Sequence, residues 1–404
     1  MQIQAIVSAF CVSPVVGLLL DNDREIEGGT TGGEFKFEED GDIENDDYAQ
    51  SSIYAILYAM YKNAGNLTSP HGVKYQFTFN TWGIAPTPAT VDLLDPPYPV
   101  EDPERHGKAA YRGLVRQPPA REYVEKLGDK PVEVRCMVNG DLLTHSEFTK
   151  TPKHLATPCN PLQPTPCNQP LARTTLTTLT SQNHNRQIVE IGCGTAAGAN
   201  LITREVLPTS KYLALDMQQA AINTCHERHA TEDNPGLTCQ IVPNGVGNGG
   251  NKAPREDNSV DFVIISETHI ADVVIGDLEK EIFNEIVRIL KPGGLFLWGN
   301  ALPTRVWEEA AEYLPTVGFE LVNNYNHTEG AVIARDEDYE RVEAVMDELI
   351  GKYPIMKAPY FGERCTKVTN RLIANFYRHP GTALYLKMVT GYDSYMHQAW
   401  RINK

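Results

Sequence analysis

The segment Ile188-Val-Glu-Ile-Gly-Cys-Gly-Thr-Ala-Ala-Gly198 constrains this chain more than any other, because a buried apolar strand runs directly into a turn almost without side chains. Gly192 and Gly194 can take positive φ and present no Cβ to hold a ligand away from the backbone amides. Glu190 adds a carboxylate at the strand's end. That charge suits a ligand bearing positive charge or hydroxyls and would repel a pyrophosphate, which wants an unobstructed helix N-terminus. The turn also parses as Gly192-x-Gly194-x-x-Ala197, the relaxed dinucleotide fingerprint. By itself it leaves the ligand open.

The downstream pattern alternates strands and helices. Lys211-Tyr-Leu-Ala-Leu-Asp216 reads as a second strand ending in an acid, at the distance where a ribose-binding carboxylate falls in a nucleotide-binding βαβ unit. Asp216 could equally cap the helix expected over 218–229, since Asp is a favoured N-cap. Further strands are expected over 237–242 and 260–266. Between Asp277 and Leu290 the apolar residues Leu278, Ile282, Phe283, Ile286, Val287 and Leu290 recur at helical spacing. Lys291-Pro-Gly-Gly294 then breaks the helix, and a fifth strand begins at Leu295. A helix over 305–314, a sixth strand over 318–322 and a last strand over 395–402 complete the series.

Glu-Ile-Gly-Cys-Gly, Asp216, Ser-Val-Asp-Phe-Val-Ile-Ile and Ile-Val-Arg-Ile-Leu-Lys-Pro-Gly-Gly-Leu-Phe stand in the order and rough spacing of the class I S-adenosylmethionine-dependent methyltransferases, which this chain resembles. Within that class it is most similar to small-molecule O-methyltransferases of lipids and polyketides, including the mycobacterial phthiotriolone dimycocerosate methyltransferases. The resemblance covers roughly residues 75 to 115 and 187 to 404. It implies an α/β fold: a Rossmann-like seven-stranded core, last strand antiparallel, under a mostly helical cap. It also implies S-adenosyl-L-methionine as cofactor, with Glu190, Gly192 and Gly194 at its methionine end and Asp216 on the ribose hydroxyls. Met217 would pack on adenine, Asn244 would serve the adenine edge where the family has Gly-Asp, and Glu267 would join the donor-binding set. Ala196 stands where the family often has another glycine. His269, following the fourth strand at the crevice of an open α/β sheet, is the candidate base; a neutral imidazole suits removal of a phenol or enol proton.

The cap is expected from both ends of the chain. Ile53, Ile56, Leu57 and Met60 sit at helical spacing in Ser51 to Lys62, and Phe77-Thr-Phe-Asn-Thr-Trp-Gly83 resembles the aromatic segment that closes over the donor in relatives. Trp82, Tyr111 and His397 are the candidate acceptor contacts; core packing explains Trp82 and Tyr111 equally well. The expected organisation is an apolar then acidic extension over 1–50, a helical cap over 51–134, a disordered insertion over 135–186, and the methyltransferase core over 187–404 with lid helices about 335–393. Such aromatic-bearing helices point to a bulky lipophilic acceptor. Two other readings are a methyltransferase-like protein that uses the cofactor structurally, as a cyclase or binding module, and an NAD-dependent oxidoreductase.

Composition narrows the partners. A formal charge of −16 over 404 residues argues against a nucleic-acid substrate, which needs a basic face. Eight cysteines without a Cys-x-x-Cys pair predict no metal site and reduced thiols in a cytoplasmic protein. Ala5 to Leu20 is apolar but interrupted by Pro14 and followed by acids, so neither a signal peptide nor a stable membrane span is expected. Acceptor identity, the atom methylated and the oligomeric state are not readable from the residues.

Overall fold

The computed structural model describes residues 67–68, 74–75, 83–94, 97–100, 102, 104–126, 135–138, 141–144, 186–268, 275–339 and 380–404. Its centre is a seven-stranded sheet of β1 (Gln187–Ile191), β2 (Lys211–Asp216), β3 (Leu237–Ile241), β4 (Val260–Ser266), β5 (Leu290–Pro303), β6 (Phe319–Asn326) and β7 (Asp393–Ile402). Their spatial order is β3-β2-β1-β4-β5-β7-β6. β7 runs antiparallel to both neighbours, while β3 through β5 pair in parallel. This is the Rossmann-like class I methyltransferase arrangement expected from the motifs. The helices around the sheet include α1 (Arg105–Val115), α2 (Pro118–Lys126), α3 (Ala197–Leu201), α4 (Gln219–Arg228), α5 (Asp277–Ile289), α6 (Thr304–Tyr313), α7 (Thr328–Glu337) and α8 (Ala383–Val389).

The sheet is buried on both faces, which is why its central strands read as continuous apolar runs. Alternate residues supply opposite faces. Val189, Ile191, Leu213, Leu215, Val263 and Ile265 pack with Phe283 and Ile286 of α5 and Trp307 of α6. Ile188, Tyr212, Ala214, Phe262 and Ile264 pack instead with Leu114 of α1, Ala199 of α3 and Ile222 of α4. Burying each large apolar side chain contributes roughly 1.5–3 kcal/mol, so the two layers hold the carboxyl ends of β1, β2 and β4 in fixed register. At the amino end, the buried carboxylate of Asp261 accepts from Gln187 N, Tyr123 Oη and Lys291 Nζ, tying α2, β1 and β5 together.

Several boundaries differ from the expected ones. β5 starts at Leu290, because Gly293 takes a φ of 76° and the Pro-Gly-Gly run enters the strand through a register shift against β4 instead of standing as a separate turn. β6 extends through Asn323, Asn324 and Asn326, residues of poor strand propensity, held there by pairing with β7. Helix α7 has no counterpart among the expected elements; Gly330 lets its backbone approach Ala85, whose carbonyl would lie 2.5 Å from an added Cβ. Cys225 of α4 and Cys239 of β3 are bonded, with Cα atoms 6.4 Å apart. That corrects the expectation of reduced thiols: helix and strand pack against each other there, and no sequence spacing signals it.

Within 135–186, Arg135–Val138 and Asp141–Thr144 form an antiparallel pair. The expected helix over 51–62, the N-terminal extension, most of the insertion, most of the lid and two candidate site residues, Trp82 and His269, lie outside the described residues. No helix among the described residues is long and apolar enough to cross a membrane.

Candidate functional site

The carboxyl ends of β1, β2 and β4 meet at the glycine turn. Gly192 and Gly194 have φ of 76° and 54°, as the sequence demands. Ala196, in the place of the family's additional glycine, is also left-handed at 62°. Gly192 N and Cys193 N donate to Leu215 O, folding the turn back over β2. Gly192 is covered by its own chain: a Cβ there would lie 2.2 Å from Thr268 Oγ1, and the Thr268 hydroxyl donates to Gly192 O at 3.1 Å. The missing side chain at Gly192 therefore serves close packing of the turn against the loop after β4.

Asp216 is built into the turn. Its Oδ2 accepts from Gly194 N and its Oδ1 from Gln218 N, both at 2.8 Å. Gln218, not Asp216, is the N-cap of α4, but the carboxylate still satisfies an amide at that helix's start. Burial pushes the Asp216 carboxyl up to about 6 against the opposing pull of the Gln218, Gly194 and Met217 amides. Next to it, Met217 is 42% exposed, an apolar side chain left uncovered at the crevice. Asn244 stands after β3 with φ of 63°, exposed; loop geometry alone accounts for an asparagine there.

Glu190 faces the second layer and is fully buried. Tyr111 Oη donates to its Oε1 at 2.9 Å and Tyr212 Oη to its Oε2 at 3.0 Å. Burial pushes the carboxyl up to about 7; the two hydroxyls oppose this and the Asp216 charge adds to it. Two acids thus share one region with no cation bonded to either among the described residues. Buried charges are normally paired. Tyr111, read as an acceptor contact or core residue, is buried and joins α1 to Glu190. Tyr212 was not among the candidates; its only signal is a phenol inside an otherwise aliphatic strand.

The Tyr111 ring occupies the place of a Cβ at Gly198, whose ideal position is 2.0 Å from Cε1 and 2.1 Å from Cζ. Gly198→Ala is therefore expected to destabilise the protein by about 1–3 kcal/mol through overpacking and to break the Tyr111–Glu190 hydrogen bond. Adding Tyr111→Leu should restore most of the loss. A thermal melt of Gly198→Ala indistinguishable from the parent protein would show that the ring is not held there.

Beyond β4, Glu267 has a φ of 50°, a strained conformation for a residue with a side chain, and its N–H donates to Gly299 O at 2.7 Å. Its carboxylate accepts a short hydrogen bond from Tyr395 Oη. His397 lies two residues along β7, opposite Gly299 of β5, which is in turn opposite Ser266 of β4. Its ring meets that of His327 edge-on at 4.4 Å. On the adjoining outer surface, a groove of about 410 Å³ is lined by Ala89, Leu93, Pro118 and Tyr325 together with the charged Asp92, Arg121, Glu122 and Glu125.

Comparison with known proteins places residues 188–294 in the family described as "Methyltransferase domain". The chain is 32% identical over 127 residues to the phthiotriol/phenolphthiotriol dimycocerosates methyltransferase of Mycobacterium tuberculosis, covering 30% of this chain and 42% of that protein. It is 28% identical over 151 residues to the fatty-acid O-methyltransferase of Mycolicibacterium smegmatis, covering 34% and 48%. It therefore spans less than half the length of these curated relatives. Among solved structures, the cyclopropane synthase MmaA2 of Mycobacterium tuberculosis matches at 13% identity and a TM-score of 0.40, over 54% of this chain and 78% of that one. From the glycine turn to the start of β5, residues 188–294 match a methyltransferase domain, and the strand order around them is the one expected of the class I S-adenosylmethionine-dependent methyltransferases.

Proposed function

We propose that the protein transfers a methyl group from S-adenosyl-L-methionine to the oxygen of a bulky lipophilic small molecule. The observation that carries this reading is the pair of buried acids, Glu190 and Asp216, with no cation bonded to either among the described residues, at the turn where the donor binds in this family. Asp216 would receive the ribose hydroxyls on its remaining lone pairs, Met217 would lie along adenine, and Glu190 would balance the donor's positive charge from beneath the turn. Asn244 and Glu267 complete the proposed donor set. Bound there, the donor supplies a methyl group on a sulfonium, already activated for transfer.

The residues' work is then mainly to align and dry the reactants, which can account for about 7 to 11 kcal/mol of a barrier. The acceptor's O–H bond breaks as the new O–C bond forms and the methyl–sulfur bond breaks. We assign the leaving proton to His269, with Trp82 among the acceptor contacts. The relatives' names, which mention lipid acceptors, agree with an apolar substrate, and the overall charge of −16 disfavours a nucleic acid.

Calorimetry tests the donor half: S-adenosylhomocysteine should bind and NAD should not, and the reverse preference would replace the methyltransferase by an oxidoreductase. Label from the donor's methyl group should then appear in the acceptor. His269→Ala is expected to bind donor normally and lose most turnover; undiminished methylation would remove that histidine from the reaction. Donor binding without label transfer to any of a broad set of phenols, alcohols and acids would favour a structural use of the cofactor.

A further inference from the structure

His327 and His397 are an anomaly in the described core. Both rings are almost fully buried. Among the described residues, neither nitrogen of His327 has a hydrogen-bond partner and His397 Nδ1 has none, whereas buried polar atoms are nearly always paired. They are not in a random place. Gly299 and Gly113 flank the His397 ring, and a Cβ on Gly299 would stand 2.9 Å from Cδ2 and one on Gly113 3.6 Å from Cε1. Gly299 on β5 makes space for the ring, and helix α1 meets it at Gly113 in ordinary contact.

The pair also lies between the end of β4 and an outer groove. On the inner side, the Tyr395 ring is 5.6 Å from His397, and Tyr395 bonds to Glu267 at the end of β4. On the outer side, the Tyr325 ring is 5.9 Å from His327 and forms part of the groove beside α2. Ile84, Leu94, Ala110 and Ala331 make the surroundings apolar. The groove's volume is in the range of small-molecule sites.

We propose that His327 and His397 are the anchoring site for the acceptor, which enters by the groove at Tyr325 and presents an uncharged hydroxyl on an apolar body to the unpartnered ring nitrogens. The inference rests on the methyltransferase reading and names its substrate class. A neutral imidazole offers one N–H donor and one lone pair, and a hydroxyl both donates and accepts, so one such group satisfies two of the orphaned nitrogens. A carboxylate fits worse. It would meet the Glu267 carboxylate behind Tyr395, and burial holds both histidines towards their uncharged form, His327 at about 4 and His397 well below its usual range, where proximity to His327 adds to the effect.

The test uses the full chain saturated with S-adenosylhomocysteine, with 13Cε1-labelled histidine rings, titrated with 4-nonylphenol and separately with dodecanoic acid. The resonances of His327 and His397, assigned through His327→Gln and His397→Gln, should move with nonylphenol and not with the acid. His397→Gln should weaken nonylphenol binding at least tenfold while leaving S-adenosylhomocysteine affinity unchanged. The titration of the unmodified protein stands even if a variant folds poorly. The proposal is overturned if nonylphenol fails to bind, if it binds without moving either resonance, or if the acid alone moves them. Failure of S-adenosylhomocysteine to bind would instead overturn the methyltransferase reading itself.

Discussion

Asp216→Ala is expected to weaken S-adenosylhomocysteine binding by about 100-fold or more, and to lower stability as well. The two effects have separate causes. The ribose loses an ionised acceptor, and hydrogen bonds to charged groups contribute about 1.5–3 kcal/mol each; two hydroxyls make a loss of that size. The glycine turn loses the carboxylate that accepts from Gly194 N and Gln218 N, and a buried donor left unsatisfied costs about 1–3 kcal/mol. Asp216→Asn should not rescue the site, because one of its atoms becomes an NH2 group that faces a backbone N–H. Titration calorimetry and a thermal melt of both variants distinguish the causes. Donor affinity within threefold of the parent protein in Asp216→Ala would remove the acid from the binding site whatever happens to stability.

That double employment of one residue explains what could be read in the sequence and what could not. The strand-turn-acid series was legible because each piece is local: apolar runs for β1, β2 and β4, glycines where φ must be positive, an acid at the end of β2. The family resemblance supplied the direction of β7. The pairings that complete the site are not local. Tyr111 reaches Glu190 across 79 positions and Tyr395 reaches Glu267 across 128, and no spacing rule links residues brought together only by the sheet order. Tyr212 passes for an ordinary strand residue until the Glu190 carboxylate is seen beside it. His327 carries no signal in the sequence for a related reason: it precedes α7, a helix whose small residues and Gly330 give weak periodicity, and its setting comes only from His397 on a strand paired with its neighbour.

Glu190→Gln should make the cofactor-free protein more stable at pH 8 and a poorer donor binder. With its folded value pushed up to about 7 from an ordinary value near 4.5, Glu190 holds more protons in the folded than in the unfolded chain between those limits. Stability from this group is therefore fully present below about 4.5 and is lost as pH rises through about 7. Over that window the loss is on the order of 3 kcal/mol. Asp216, pushed up to about 6, acts in the same direction at a lower pH. Glutamine cannot ionise, so the variant should show a flatter dependence of melting temperature on pH between 5 and 8 and exceed the parent protein at the alkaline end. The same loss of charge should reduce affinity for S-adenosylmethionine about 30- to 100-fold, with a smaller reduction for S-adenosylhomocysteine, which lacks the sulfonium. In the parent protein, donor affinity should fall on acidification through 7 to 6 as the acids are neutralised, and bound donor should in turn offset the alkaline loss of stability. A variant that melts at the same temperature as the parent at pH 8 and binds the two cofactors equally well would mean that the buried carboxylate carries no charge relevant to binding, and that the positive ligand is recognised elsewhere.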